Sequence, residues 1–203
     1  ESIPELNAKC FAALEKSPLS CQHGIGHGIM ASLGYDDEML RRSLDTCAAL
    51  PGTDPIGGCY GGVFMEYNVR TMLALDAEPR AYHGNPFAPC DSFPASYATA
   101  CIYWQPQWWQ QTVLRGQSMR EQFRAMGGYC REFGKTPELT RACFEGVGNV
   151  VAMSSGFDPV EVERCATSTV GAERPPFGNR DVGRNGLLPT HPVASLLLVG
   201  SPT

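Results

Sequence analysis

The residues best suited to chemistry in this 203-residue chain lie in one stretch, Cys21-Gln22-His23-Gly24-Ile25-Gly26-His27-Gly28. His23 and His27 are four residues apart, so on a helix their imidazoles share one face, close enough to take one ion. Two histidines do not close a structural zinc site, so further ligands must converge on them. The residues between them are Gly-Ile-Gly rather than the acid-bearing H-E-x-x-H pattern, which excludes a zinc-peptidase site. The other two histidines, His83 and His191, stand in irregular segments that could fold over the site.

The stretch is one copy of a recurring pattern. Nine cysteines stand singly along the chain with no C-x-x-C pair, which removes the signatures of a zinc knuckle, a thioredoxin-like site and c-type haem attachment. Spacing pairs Cys10 with Cys21, Cys47 with Cys59, Cys90 with Cys101 and Cys130 with Cys143. Cys165 is left over, as a free thiol, an intermolecular bridge or half of a disulfide whose partner has been cut away. The second member of the pair recurs after 38, 42 and 42 residues, a period that belongs to helical repeats. The segments after it align without gaps as QHGIGHGIM, YGGVFMEYN, IYWQPQWWQ and FEGVGNVVA. Gly24, Gly62 and Gly146 share the third position past the cysteine, where the third copy has Trp104. Such a glycine costs roughly 1 kcal/mol of helix propensity, and close approach of a paired helix justifies it.

These observations predict an all-α fold of disulfide-stapled helical-hairpin repeats. About four units over residues 1–170 form a short solenoid or compact bundle, and an irregular C-terminal arm follows over 171–203. In each unit one helix ends near the first cysteine and the next begins near the second. Helices are expected over 3–14, 21–32, 36–47, 58–75, 118–129 and 136–154, with a short one over 160–165. A further helix from Cys101 meets Pro106, which should interrupt or kink it. The stretch 77–89 has three prolines and no helical period, so it reads as an irregular insert. Leu196-Leu197-Leu198 in the arm is placed to seal an open end of the array.

The alignment also defines a candidate functional face. Two residues past the second cysteine stand His23, Gly61, Tyr103 and Glu145; six residues past it stand His27, Met65, Gln107 and Asn149. In stacked repeats these positions lie side by side, often on the concave binding surface. The candidate metal ligands are therefore His23 and His27, helped by Glu66, Met65 or Glu145. Tyr103, Gln107, Trp108 and Asn149 are candidate ligand-binding residues. Histidine with carboxylate suits zinc or iron, histidine with methionine suits copper, and the flanking glycines leave room for haem. All three tryptophans, Trp104, Trp108 and Trp109, fall in the third copy. They read as a core wedge replacing the small glycine contact, with ligand stacking or an oligomer contact as the alternatives; Cys165 offers a second route to an oligomer.

The formal charge of −5, without a Lys/Arg run, excludes a general nucleic-acid or anionic-membrane surface. The longest apolar run, Val193 to Val199, is too short to span a membrane. Dispersed single cysteines fit an oxidising compartment, so a periplasmic or secreted protein with its signal peptide removed is expected. No nucleophile–base pair, P-loop or dinucleotide fingerprint marks a catalytic class, which leaves enzyme activity open. The leading functional expectation is an extracytoplasmic metal- or haem-binding protein, redox-active in one version, using the His23/His27 helix face. The alternative is a non-catalytic helical-repeat module for a peptide, glycan or partner protein, or an accessory domain of a larger secreted protein.

Overall fold

The computed structural model describes residues 2–13, 18–52, 54, 56–70, 78–156, 158 and 160. Cys165, His191, the expected helix beyond Val160 and the arm over 171–203 lie outside these residues. Among the described residues there are seven α-helices and no strand. They fall into two compact units, one before residue 77 and one from Glu78 onward.

The first unit contains α1 (Ile3–Ala13), α2 (Pro18–Leu33), α3 (Asp37–Ala48) and α4 (Cys59–Val69). Pro18 opens α2, where a missing N–H costs nothing, so this helix starts three residues earlier than its cysteine suggests. Gly34, at φ 116°, follows its end. Asp36 caps α3 by accepting from the Met39 N–H, and Leu40, Ser43, Leu44 and Cys47 form its buried stripe. Helix α4 is buried nearly all round, and its principal partner is α2. Glycines allow this. A Cβ on Gly62 would stand 1.9 Å from the His23 carbonyl oxygen, and one on Gly26 would stand 2.0 Å from that of Cys59. No side chain fits at either point, so the two backbones meet directly.

The second unit contains a 3-10 turn (Cys90–Ser92), α5 (Ala95–Trp108), a π-helical turn (Trp109–Val113), α6 (Met119–Phe133) and α7 (Pro137–Ser154). Ser118 and Glu121 form a capping box at α6, and Thr136 caps α7. Two expectations need correction. Helix α5 begins six residues before Cys101 and runs through Pro106 without interruption; the irregularity comes after it, as the π-helical turn. The third repeat also lacks a full first helix, since Cys90 sits in a single 3-10 turn after an irregular segment. That segment is held by side chains. Gln105 donates to the Pro86 and Ala88 carbonyls at 2.9 and 2.8 Å, and the Trp109 indole donates to Pro86 at 2.6 Å. Backbone acceptors that no helix or sheet satisfies are thereby satisfied by α5 and the turn that follows it.

The four sequential disulfides form as the spacing predicts, Cys10–Cys21, Cys47–Cys59, Cys90–Cys101 and Cys130–Cys143. Each closes a loop of 11 to 13 residues, contributing roughly 2.5–3 kcal/mol through the unfolded state. The pairing of α2 with α4 recurs as α5 with α7 in the second unit. It recurs in the same register: a Cβ on Gly146 would stand 2.0 Å from the Tyr103 carbonyl oxygen, as one on Gly62 would from that of His23.

Candidate functional site

Where α2 crosses α4, the close backbone contact brings polar side chains together out of solvent. His23 and His27, one turn apart on α2, are 6% and 5% exposed, with ring centres 4.9 Å apart and planes at 69°. Glu66 enters from α4 fully buried, and its Oε2 lies 2.8 Å from His27 Nδ1. Its other oxygen accepts from the Tyr35 hydroxyl at 2.7 Å. Arg70, at the C-terminal cap of α4, holds its guanidinium 4.9 Å from the centre of the Tyr35 ring. Nearby, the Tyr67 hydroxyl donates to Asp37 at 2.6 Å and ties α4 to the start of α3.

The proton positions follow from these contacts. Burial first, then donation to Glu66 and the charge on that carboxylate, push the Tyr35 phenol up to about 12, so it stays a donor at neutral pH. Glu66 thus receives one hydrogen bond from Tyr35 and the other from the Nδ1–H of His27. With Nδ1 turned to Glu66, Nε2 is the nitrogen of the ring that is left to face a ligand. His27 Nε2 is buried and has no hydrogen-bond partner among the described residues. Burial, then the neighbouring His27, lower His23 to about 4 against the opposing backbone of Gly58 and Gly57, so His23 is neutral at pH 7.

The structure brings together three of the five candidate metal ligands, His23, His27 and Glu66, with Glu66 behind His27 as its hydrogen-bond partner. Met65 is half-buried on α4. Glu145 belongs to the second unit, exposed on α7 with Arg141 Nε 3.8 Å away. Among the described residues, no group of three His, Cys, Asp or Glu side chains is arranged to hold a metal ion. His83 is exposed in the irregular segment of the second unit.

Tyr103 and Gln107 are buried on α5, and Asn149 is half-buried on α7. Burial, then the Glu145 carboxylate, push Tyr103 up to about 12. Trp104, Trp108 and Trp109 are all buried in the core of the second unit. The ring of Trp108 is covered by the Arg80 guanidinium at 3.7 Å, and its indole N–H donates to the Arg80 carbonyl. This is the arrangement of a core wedge.

A separate apolar groove of about 450 Å³ runs along the opposite side of α2, lined by Ile3, Leu6, Cys21, Gly24, Ile25, Gly28, Ile29 and Ser32. Neither histidine lines it, and a Cβ on Gly24 or Gly28 would meet nothing within 4 Å. The room that the flanking glycines leave is therefore in this groove, away from the imidazoles.

Sequence reasoning missed Tyr35 and Arg70. Tyr35 lies in the link between two helices, where no periodicity applies, and its partner is 31 residues away. A signal for the importance of Glu66 was present. Seven residues past the cysteine the other copies have Gly28, Trp108 and Val150, so a carboxylate there stands alone. No helix among the described residues is long and apolar enough to cross a membrane. Comparison with family models, curated proteins and solved structures gives no match.

Proposed function

We propose that the first unit binds one transition-metal ion through His23 and His27, with Glu66 fixing His27 from behind. The observation that carries this reading is the Nε2 atom of His27, buried and without a hydrogen-bond partner among the described residues, on a ring whose other nitrogen is held by a buried carboxylate. Buried polar atoms are almost always satisfied, so an exception marks a place for a water or an ion. A carboxylate behind a histidine is also the usual outer shell of a metal ligand, setting its tautomer and raising its basicity. The ring spacing fits. An imidazole nitrogen about 2.0 Å from an ion puts the ring centre about 3 Å from it, so two such rings on one tetrahedral ion lie about 5 Å apart.

Two imidazole ligands suit copper, zinc or iron. They leave coordination positions for solvent or a small ligand, which describes an open, exchangeable site. Haem is less well supported, because the groove beside α2 is not lined by either histidine. Four disulfides favour an extracytoplasmic setting, secreted or periplasmic. The test is metal analysis of the purified full chain after incubation with copper, zinc or iron salts and desalting. Near-stoichiometric metal, lost in His23→Ala/His27→Ala, supports the reading; metal-free wild type after loading overturns it.

The groove favours a second reading, a non-catalytic binding module for an apolar ligand. Its test is binding of an environment-sensitive apolar dye, which Gly28→Trp should abolish by filling the groove.

A further inference from the structure

Arg70 is the only described non-glycine residue with a left-handed backbone, at φ 57°. It occupies the helix cap position where glycine is ordinarily found, and a branched or long side chain there carries a conformational cost. Strain of this kind persists where the side chain has a task. The guanidinium of Arg70 lies over the ring of Tyr35, and its Nε is buried with no hydrogen-bond partner among the described residues, so the ring contact is what the structure shows for this side chain. The Tyr35 hydroxyl in turn donates to the Glu66 oxygen that faces away from His27. A carboxylate on a side chain with free torsions can rotate. One held at both oxygens cannot.

We infer that Tyr35, clamped by Arg70, is a positioning residue for the metal site: it fixes the Glu66 carboxylate so that Glu66 locks His27 in the Nδ1–H tautomer with Nε2 presented. This rests on the metal-binding reading for its consequence, but not for its geometry. Tyr35 and Arg70 touch no ion. They act through Glu66, and they come from parts of the chain that the histidine motif does not identify: the link after α2 and the last residue around α4.

Two measurements on the full chain test it. The first is the tautomer of His27 by long-range proton–nitrogen NMR on the metal-free protein. Wild type should show the Nδ1–H form, and Tyr35→Phe should show a mixture. The second is the affinity for Zn²⁺ in a competition titration, expected to weaken 10- to 100-fold in Tyr35→Phe, the usual loss for an outer-shell partner. Should Tyr35→Phe fail to fold, Arg70→Gly replaces it. Glycine accepts φ 57° without strain, so this variant should melt at least as high as wild type while shifting the tautomer and the affinity in the same direction by a smaller amount. Higher stability with poorer binding is a combination that a purely structural role for Arg70 would not produce. An unchanged tautomer and affinity in a folded variant overturns the positioning role and leaves the metal site standing. A wild type that takes no Zn²⁺, with the tautomer still lost in the variants, supports the positioning role and removes its ion.

Discussion

The helix pair α2/α4 and the helix pair α5/α7 are built on the same contact and carry different contents. In each, a glycine three residues past a disulfide cysteine sits against the carbonyl of the residue two past its counterpart, Gly62 on His23 and Gly146 on Tyr103. Around that contact the first unit places His23, His27 and Glu66, where the second has Tyr103, Gln107 and Val150. The other side of the leading helix differs in the opposite sense. Gly24 and Gly28 leave a groove in the first unit, while Trp104 and Trp108 fill the second and hold its irregular segment. One pair is filled by buried tryptophans; the other keeps a buried titratable cluster and open space. The scaffold thus accounts for the cysteines and the close-contact glycines, and the proposed metal site rests on what differs between the copies.

The shared contact predicts the largest effects. Gly62→Ala and Gly146→Ala should each destabilise by about 3 kcal/mol or more, because the clash is with backbone and the helices must part. Urea denaturation of both variants checks the equivalence. A mild Gly146→Ala beside a severe Gly62→Ala would break the claim that the two pairs have one register.

Next comes pH. His23 is held near 4 in the folded state, below its ordinary value of 6.5, so the folded protein resists a proton that the unfolded chain accepts. Its contribution is fully present above pH 6.5 and is lost as pH falls towards 4, on the order of 3 kcal/mol across that window. Melting curves of metal-free wild type and His23→Tyr, which installs the residue of the second unit, should converge as the pH is lowered through this range. Parallel curves would mean that His23 is not buried as described.

Glu66→Val copies Val150 and leaves the Tyr35 hydroxyl and the His27 N–H without their acceptor. A loss of about 2 kcal/mol is expected by thermal or chemical denaturation. The smallest effect is at the groove. Gly28→Ala meets no neighbour and should stabilise by about 0.5–1 kcal/mol through helix propensity and reduced unfolded-state freedom.

Much of this comparison was legible in the sequence, for reasons that vary by residue. Cysteine spacing gave the four disulfides because each closes a short local loop. The recurrent glycine marked a close helix contact at Gly62 and Gly146, but Gly24 at the same position faces open space, and Gly26 makes the contact on its helix instead. The i, i+4 spacing put His23 and His27 on one face of α2, since helical period is a local property. The start of α5 was misplaced because Pro94 and the residues after it look loop-like, while Pro94 in fact supplies an extended N-cap. Pro106 in a helix predicts a break or kink, but α5 continues through it and the backbone adjusts in the following turn. The Tyr35–Glu66–His27 chain could not be read in full, because its links join residues 31 and 39 positions apart. Only the folded crossing of α2 and α4 brings them together.

The central claim is that the first unit, and not the second, has a metal-binding face. It is tested most directly by calorimetric titration of Zn²⁺ into wild type and into the double variant His23→Tyr/His27→Gln, which gives the first unit the residues of the second. The account predicts one ion per chain in wild type and none in the variant, with the variant still folded by circular dichroism. Equal uptake by both proteins, or no uptake by wild type, would contradict it.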